Sequence, residues 1–492
     1  MTLPMQDRLV DVDAVQVAAA VRAPVGAGKT FRAYDPDQVL LMSPVLQDWI
    51  PDGDLAHFVS DLVETGALDL SAIYASYEDE RGFPPYDPRL MVKLLVYGYA
   101  VGIMSSRKLE AATYRDVALR MLCADQHPDF RSIGRFRKRH IDALAGLFVQ
   151  ALRLCRAGGL VGLGTLALDG TKLRANASRH KAMSYERMGT KAVKLQAEIA
   201  EIQERMQALL ADAEAVDVAE DEQYGPGRRG DELPAELKRR EDRLAVIREA
   251  QADLEAEALE AETERRTQMK VEGKTPRAPR DGRDPFKPKP KAQRNFTDPE
   301  SRIMRMSDGA FHQCYNGQAI VDSQTQVIVA ADAFAMAADC PLLAPMLDEL
   351  DANLAAIGAE LPAGAVMIAD AGYFSQDNVI AAAAHGLDPF IATGRLKHGD
   401  PPALPLQDPV PGDATPKQQM AHKTKSEDGH AIYARRKAIV EPVFGQMDTT
   451  QDAKHLGLRG KPAARKQWQF QATVHNLLKL HRNGGLALIP TG

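Results

Sequence analysis

Apolar residues recur at helical spacing through the first third of the chain. From residue 35 to about 160, Pro88 opens a helix carrying Leu90, Met91, Leu94, Leu95 and Tyr97. Ser105 or Ser106 can cap the next (Leu109, Ala112, Val117, Leu119, Leu122), and Ser132 a third with Phe136, Leu144, Phe148 and Leu152 on its apolar side. The pattern predicts a leader over residues 1–34 and an all-α domain over residues 35–160. At Gly164 the texture changes. Thr165, Leu166, Ala167 and Leu168 form a short apolar run, which predicts a buried strand ending at Asp169 and Gly170. Next, Leu195, Ile199, Ile202, Met206 and Leu209 step by four and three, and after the turn-rich residues 224–227 the pattern resumes at Leu237, Leu244, Ile247 and Leu254. That spacing predicts an antiparallel helical hairpin with a narrow apolar seam.

The Lys/Pro-rich run DPFKPKPK over residues 284–291 cannot continue a helix and predicts an extended linker. Beyond it, strand-like runs over residues 315–322 and 326–333 flank Ser323, Gln324 and Thr325 as a β-hairpin. A helix fits residues 341–357, and residues 366–369 predict a buried strand ending at Asp370. Ser375 caps a short helix that stops at His385 and Gly386, and residues 389–393 predict a further strand. The final helices cover residues 433–447 and 463–481.

Composition is globular, with 45% apolar and 26% charged residues, and 492 residues exceed one ordinary core. No apolar run approaches the roughly 18 to 20 residues of a membrane helix, and the start lacks a basic flank followed by an apolar stretch. The expectation is a soluble, cytoplasmic protein without a membrane partner. Cys123, Cys155, Cys314 and Cys340 are too scattered for a disulfide framework or a zinc site, and the histidines (His312, His385, His398, His422, His430, His455, His475, His481) show no metal-binding spacing. Trp49 and Trp468 read as packing aromatics. The net charge of −6 argues against a nucleic-acid partner, but eleven Lys/Arg face three acids over residues 265–294. Arg135, Arg137, Lys138 and Arg139 crowd the start of the third helix, which suits phosphate contacts in a helix-turn-helix-like arrangement; a solvated helix face is the plainer alternative.

Two predicted strands end in carboxylates, Asp169 and Asp370, where an α/β sheet places its chemistry. Glu441 lies on a predicted helix that carries Tyr433, Lys437 and Phe444 on the same face. Three such carboxylates can hold a pair of Mg²⁺ ions, for which Mn²⁺ can substitute. Caps and solvated acids look the same by spacing, so both readings stay open at this point.

Five segments go further: LALDGTKLRANAS (residues 166–178), CYNGQAIVD (314–322), IADAGYFSQDNV (368–379), FIATGR (390–395) and YARRKAIVEPVFGQM (433–447). Together they resemble the bacterial insertion-sequence DDE transposases, closest to the group catalogued as number eleven-eighty-two, and the residues around Pro88 and Phe136 resemble the helical N-terminal domain of those proteins. The resemblance implies an α/β protein whose RNase H-like catalytic core, over residues 161–185 and 295–482, is interrupted by a helical hairpin and basic linker over residues 186–294. It implies metal-ligand and catalytic roles for Asp169, Asp370 and Glu441, with DNA contacts by Tyr433 and Arg436, beside which Lys437 adds a further cation. Double-stranded DNA is the expected partner, and the helical hairpin, as a projecting arm, is a candidate contact for a homodimer or higher oligomer that pairs two element ends. Asp448 stands where related sequences carry a basic residue, with Lys454 the next cation, and Pro442 should kink or restart the helix after Glu441.

Two rivals are weighed against this reading. The segment over residues 23–30 satisfies a loose phosphate-loop pattern, but Phe31 to Pro36 lead into a turn rather than a helix, so no nucleotide cofactor is expected. A catalytically inactive, transposase-derived DNA-binding protein is the second.

Overall fold

Four aspartates start the helices that precede the sheet. Asp54, Asp87, Asp116 and Asp129 accept hydrogen bonds from backbone N–H groups at the openings of Leu55–Glu64, Pro88–Ala100, Val117–Leu122 and Phe130–Arg139. Asp129 takes two, from Arg131 at 2.9 Å and Ser132 at 3.1 Å, so it and not Ser132 is the cap. The segments expected as single helices are divided, Ser106–Arg115 from Val117–Leu122 at Asp116 and Phe130–Arg139 from Ile141–Ala157 at His140. Pro88–Ala100 is buried along nearly its whole length, which makes it the centre of this helical region.

These features come from a computed structural model that describes residues 45–77, 85–178, 181–221, 233–271, 273–276, 282–394 and 414–489. The leader and its phosphate-loop-like segment, the turn at residues 224–227, Arg395, His398 and the side chains of Met206 and Leu209 lie outside the described residues.

Among the described residues eight strands follow: β1 (Thr165–Arg174), β2 (Ala182–Ser184), β3 (Gln293–Asn295), β4 (Arg302–Arg305), β5 (Phe311–Asp322), β6 (Ile328–Phe334), β7 (Val366–Ala369) and β8 (Asp388–Ile391). Six form one mixed sheet. β5 pairs antiparallel with β1 on one side and with β4 and β6 on the other, while β7 and β8 continue from β1 in parallel. β1 is longer than its apolar run predicts. Its parallel ladder with β7 ends at Leu168 opposite Ala369, but its antiparallel ladder with β5 runs on to Arg174 opposite Cys314. Asp169 therefore sits within a strand, at the point where one neighbour stops. The polar residues after it are carried by β5 pairing, which periodicity of a single strand does not reveal.

The apolar residues of the helical region and of the sheet belong to one continuous core. Lys461–Arg482 joins them, packing on both Ile141–Ala157 and β6. Between β1 and β3 run two long helices, Tyr185–Asp221 and Leu233–Val271, with a separate small cluster of Met188, Leu195, Ile199, Leu244, Ile247 and Leu254. They are antiparallel, since Tyr185 bonds Glu255 at 2.5 Å while Arg240 meets Glu198 at 3.2 Å. The Lys/Pro-rich segment is not extended. It closes two turns, Lys287 N–H to Asp284 O and Ala292 N–H to Lys289 O, because Asp284 also accepts from Phe286 N–H and favours a tight bend.

Tyr433 lies in Glu427–Ala434, and the helix carrying Glu441 begins only at Arg436, as Arg436–Gln451. It continues through Pro442 without restarting. Proline at this position deprives the Ala438 carbonyl of its helical donor, and the Gln326 side chain supplies one instead at 2.9 Å. Gln326, in the β5–β6 turn, also accepts at its backbone from His475 Nε2 at 3.0 Å and at its side chain from Lys479 at 2.8 Å. One turn residue thus ties two helices to the sheet.

His475 is 1% exposed, and burial, with the nearby charges of Lys479 and Arg482, pushes its imidazole down to about 4. A depressed folded-state value stabilises the fold above the ordinary histidine range and loses that contribution as pH falls. Between about pH 7.5 and about pH 5 the loss should be about 2 kcal/mol. His475→Gln, which keeps a donor for Gln326, should flatten that part of a urea-denaturation pH profile; a profile parallel to the parent's would assign the acid lability to other groups.

Candidate active site

The end of the β1–β7 ladder brings two carboxylates together. Asp169 follows Leu168 and Asp370 follows Ala369, and Leu168 and Ala369 are themselves register partners. Asp370 ends its strand by capping a short turn, Ala371–Tyr373, accepting from Gly372 N–H at 2.7 Å. Asp169 accepts from Gly170 N–H at 2.8 Å through one oxygen and from Arg436 Nη1 at 2.8 Å through the other. Burial raises the Asp169 carboxyl above its ordinary range and the negative charge of Asp370 adds to this, while Arg436 opposes both. The Tyr433 hydroxyl is pushed up chiefly by burial, with Arg436 opposing and Asp370 adding. Arg436 is thus the counter-ion of a partly buried acidic pair.

Glu441 is placed differently. It is exposed, while Ile439, Val440 and Val443 of the same helix are buried. A residue five positions further along a helix is turned by about 500°, or about 140° net, so Arg436 facing Asp169 directs Glu441 elsewhere. Among the described residues no three His, Cys, Asp or Glu side chains are grouped closely enough to hold a metal ion. The structure brings together Asp169, Asp370, Tyr433 and Arg436, and leaves Glu441 and Lys437 exposed on the helix surface.

Three further residues complete the site. Gln318 on β5 is fully buried opposite Gly170, Tyr373 closes the turn after Asp370, and Asp339 accepts from Lys172 at 3.2 Å and Asn316 at 2.6 Å. Gln318 and Tyr373 stand inside the motifs CYNGQAIVD and IADAGYFSQDNV, so their segments were flagged although their roles were not. Asp339 carries no signal in the sequence, since only the loop after β6 brings it here.

The cations of the basic helix divide. Arg135 and Lys138 are exposed. Arg137 donates to Tyr99 Oη at 3.1 Å and Met104 O at 2.9 Å, and Arg139 lies over the Tyr77 ring at 4.7 Å and bonds the Ser76 carbonyl. Asp448, the apparent departure after the glutamate, is paired with Lys454.

Residues 44–139 match the family described as Transposase domain (DUF772), and residues 271–477 match the Transposase DDE domain, together more than half of the chain. The chain belongs to the insertion-sequence DDE transposases. No curated protein and no solved structure matches it. Proteins of this family generally use divalent metals and act on DNA. Asp370 and Glu441 of the transposase fall inside the DDE match, whereas Asp169 lies outside both matched stretches, and its candidacy rests on the register that sets it beside Asp370. No helix among the described residues is long and apolar enough to cross a membrane.

The Arg436–Asp169 pair has side chains only 14% and 22% exposed. A double-mutant cycle with Arg436→Gln and Asp169→Asn, read by urea denaturation in EDTA, should give a coupling of about 1–3 kcal/mol, between the values for exposed and buried pairs. Strict additivity of the two variants would show that the contact contributes nothing to stability.

Proposed function

We propose that this transposase cuts and rejoins double-stranded DNA at the terminal inverted repeats of an insertion sequence, with Asp169, Asp370 and Glu441 holding two Mg²⁺ ions for which Mn²⁺ substitutes. The observation that carries the reading is the Asp169–Asp370 pair at the mouth of the β1–β7 ladder, in a chain of this family. Hard oxygen donors suit such cations. A bound pair supplies charge stabilisation for the attacking and leaving oxygens of a phosphodiester. Two of the three donors fit the group as they stand; Glu441 joins them only when its helix re-seats. In this reading Arg436 passes from Asp169 to a DNA phosphate, an anion that its planar fork matches equally well, and Tyr433 and Lys437 line the same approach.

The strand order β6–β5–β1–β7–β8, with β5 antiparallel and β7 and β8 parallel to β1, supports reading the sheet as an RNase H-like core. The antiparallel helices after β1 then form an insertion over residues 186–294, between core segments at residues 161–185 and 295–482. The helical domain of residues 35–160, behind a leader of residues 1–34, binds DNA. The motifs favour the group numbered eleven-eighty-two. A homodimer or higher oligomer, with the arm as one contact, pairs two element ends in the cytoplasm.

Asp169→Asn, Asp370→Asn and Glu441→Gln should each abolish cleavage and joining of the element's own ends while leaving end binding intact. Near-normal cleavage by any one of them removes that residue from the set, and an inactive parent that still binds its ends would favour a DNA-binding derivative.

A second expectation separates the basic-helix cations. Arg135→Ala and Lys138→Ala should each lower the slope of log K against log salt by about 0.9. Arg137→Ala should instead lower thermal stability and keep the parent's slope. Unchanged slopes in the first two variants would put the DNA surface elsewhere.

A further inference from the structure

A fully buried amide lies between the two acidic elements. Gln318 is opposite Gly170 in the β1–β5 register, one residue beyond Asp169, and its side chain lies against that step of the strand. A β-carbon added to Gly170 would stand 2.2 Å from Gln318 Nε2 and 3.1 Å from Asn316 Oδ1. Only glycine after Asp169 leaves room for the amide. On its other side, Gln318 Oε1 accepts from the hydroxyl of Tyr373, the last residue of the turn that Asp370 caps.

The orientation of this amide is dictated by its neighbours. Gln318 Nε2 reaches Asp339 Oδ1 at 3.2 Å and Asn316 Oδ1 at 3.0 Å. An ionised carboxylate only accepts, so the NH₂ end must face Asp339 and the carbonyl end is left for Tyr373. Asp339 is in turn fixed by Lys172 and Asn316. The Tyr373 ring is 1% exposed, and burial, together with the charges of Asp339, Asp169 and Asp370, keeps its hydroxyl protonated and able to donate. Gln318 thereby satisfies three polar partners while adding no charge beside three carboxylates.

An apolar side chain in place of Gln318 would leave Asp339, Asn316 and Tyr373 each short of a hydrogen-bond partner. The amide connects the strand bearing Asp169 to the turn bearing Asp370, through one hydrogen bond and one close contact. We propose that Gln318, acting through Tyr373 and oriented by Asp339, is a positioning residue that sets the relation of Asp169 to Asp370 for divalent-cation binding. The proposal rests on the reading that these two aspartates are metal ligands.

The test uses the full chain and Mn²⁺ alone, titrated by electron paramagnetic resonance, with thermal unfolding in EDTA recorded beside it. The parent should bind Mn²⁺ and Asp169→Asn should not. Gln318→Met and Tyr373→Phe should remain folded, bind Mn²⁺ about 10- to 100-fold more weakly, as loss of groups that orient metal ligands does, and change the line shape of the bound signal. The double variant should lose no more than the worse single one, since both cut one connection. Unchanged affinity and line shape in folded Gln318→Met and Tyr373→Phe would overturn the proposal; if Gln318→Met does not fold, Tyr373→Phe decides. A parent with no Asp169-dependent Mn²⁺ binding would instead sink the metal reading, and this inference with it.

Discussion

Two carboxylates at the end of one parallel ladder repel each other, and much of the surrounding structure answers that repulsion. The charge of Asp370 adds to the burial that raises the Asp169 carboxyl above its ordinary range. The register of β1 and β7 makes the juxtaposition unavoidable, because Leu168 and Ala369 are partners and the next residue of each strand is acidic. Arg436 offsets the charge from one side. The neutral, fully satisfied Gln318 and Tyr373 fill the other without adding to it. Gly170 is the geometric condition for that filling, since any side chain there would displace the amide.

The helix carrying Arg436 and Glu441 can present only one of them to Asp169. The five-residue interval between them does not close a whole number of turns, so bringing in the guanidinium turns the carboxylate out. Buried Ile439, Val440 and Val443 hold that rotation, and Gln326 holds the backbone where Pro442 breaks the ladder. The acidic pair has an arginine seated on it, which offsets one of its two charges, and the third acid is turned outward. A competing anion for Arg436 and a cation for the aspartates would each weaken this arrangement, and each favours the other's binding by the same coupling.

How far this was legible from sequence depended on whether one segment's pattern determined the outcome. β7 was readable, because Met367, Ile368 and Ala369 are buried and the strand stops where its apolar run stops. β1 was cut short, because its continuation past Asp169 depends on β5, more than a hundred residues away. The Ser375 cap was readable, but at the basic helix Ser132 was expected where Asp129 does the work, since the aspartate three residues earlier takes the N–H groups at the helix start. Asp370 and Asp169 were visible as carboxylates closing apolar runs. Asp339 was not, because nothing local marks a loop aspartate whose three donors come from β1 and β5. The outward turn of Glu441 was hidden for the same reason: sharing a face with Tyr433 assumes one unbroken helix, and the helix begins anew at Arg436.

Charge counting overstates the free cations for a related reason. The eleven cations over residues 265–294 looked like a phosphate-binding run, yet several are engaged within the fold. Arg294 is clamped between Asp253 at 2.7 Å and Glu257 at 2.6 Å, and Arg265 and Arg266 both reach Glu262. Arg137 and Arg139 on the basic helix are likewise tied to neighbouring backbone and rings. A guanidinium that already satisfies a carboxylate or carbonyl must break that contact to meet a phosphate, which offsets much of what the new contact contributes. The electrostatic footprint on DNA should therefore follow exposed cations such as Arg135 and Lys138 rather than the total. In a chain with a net charge of −6, the cations free to meet a phosphate are fewer than the total suggests.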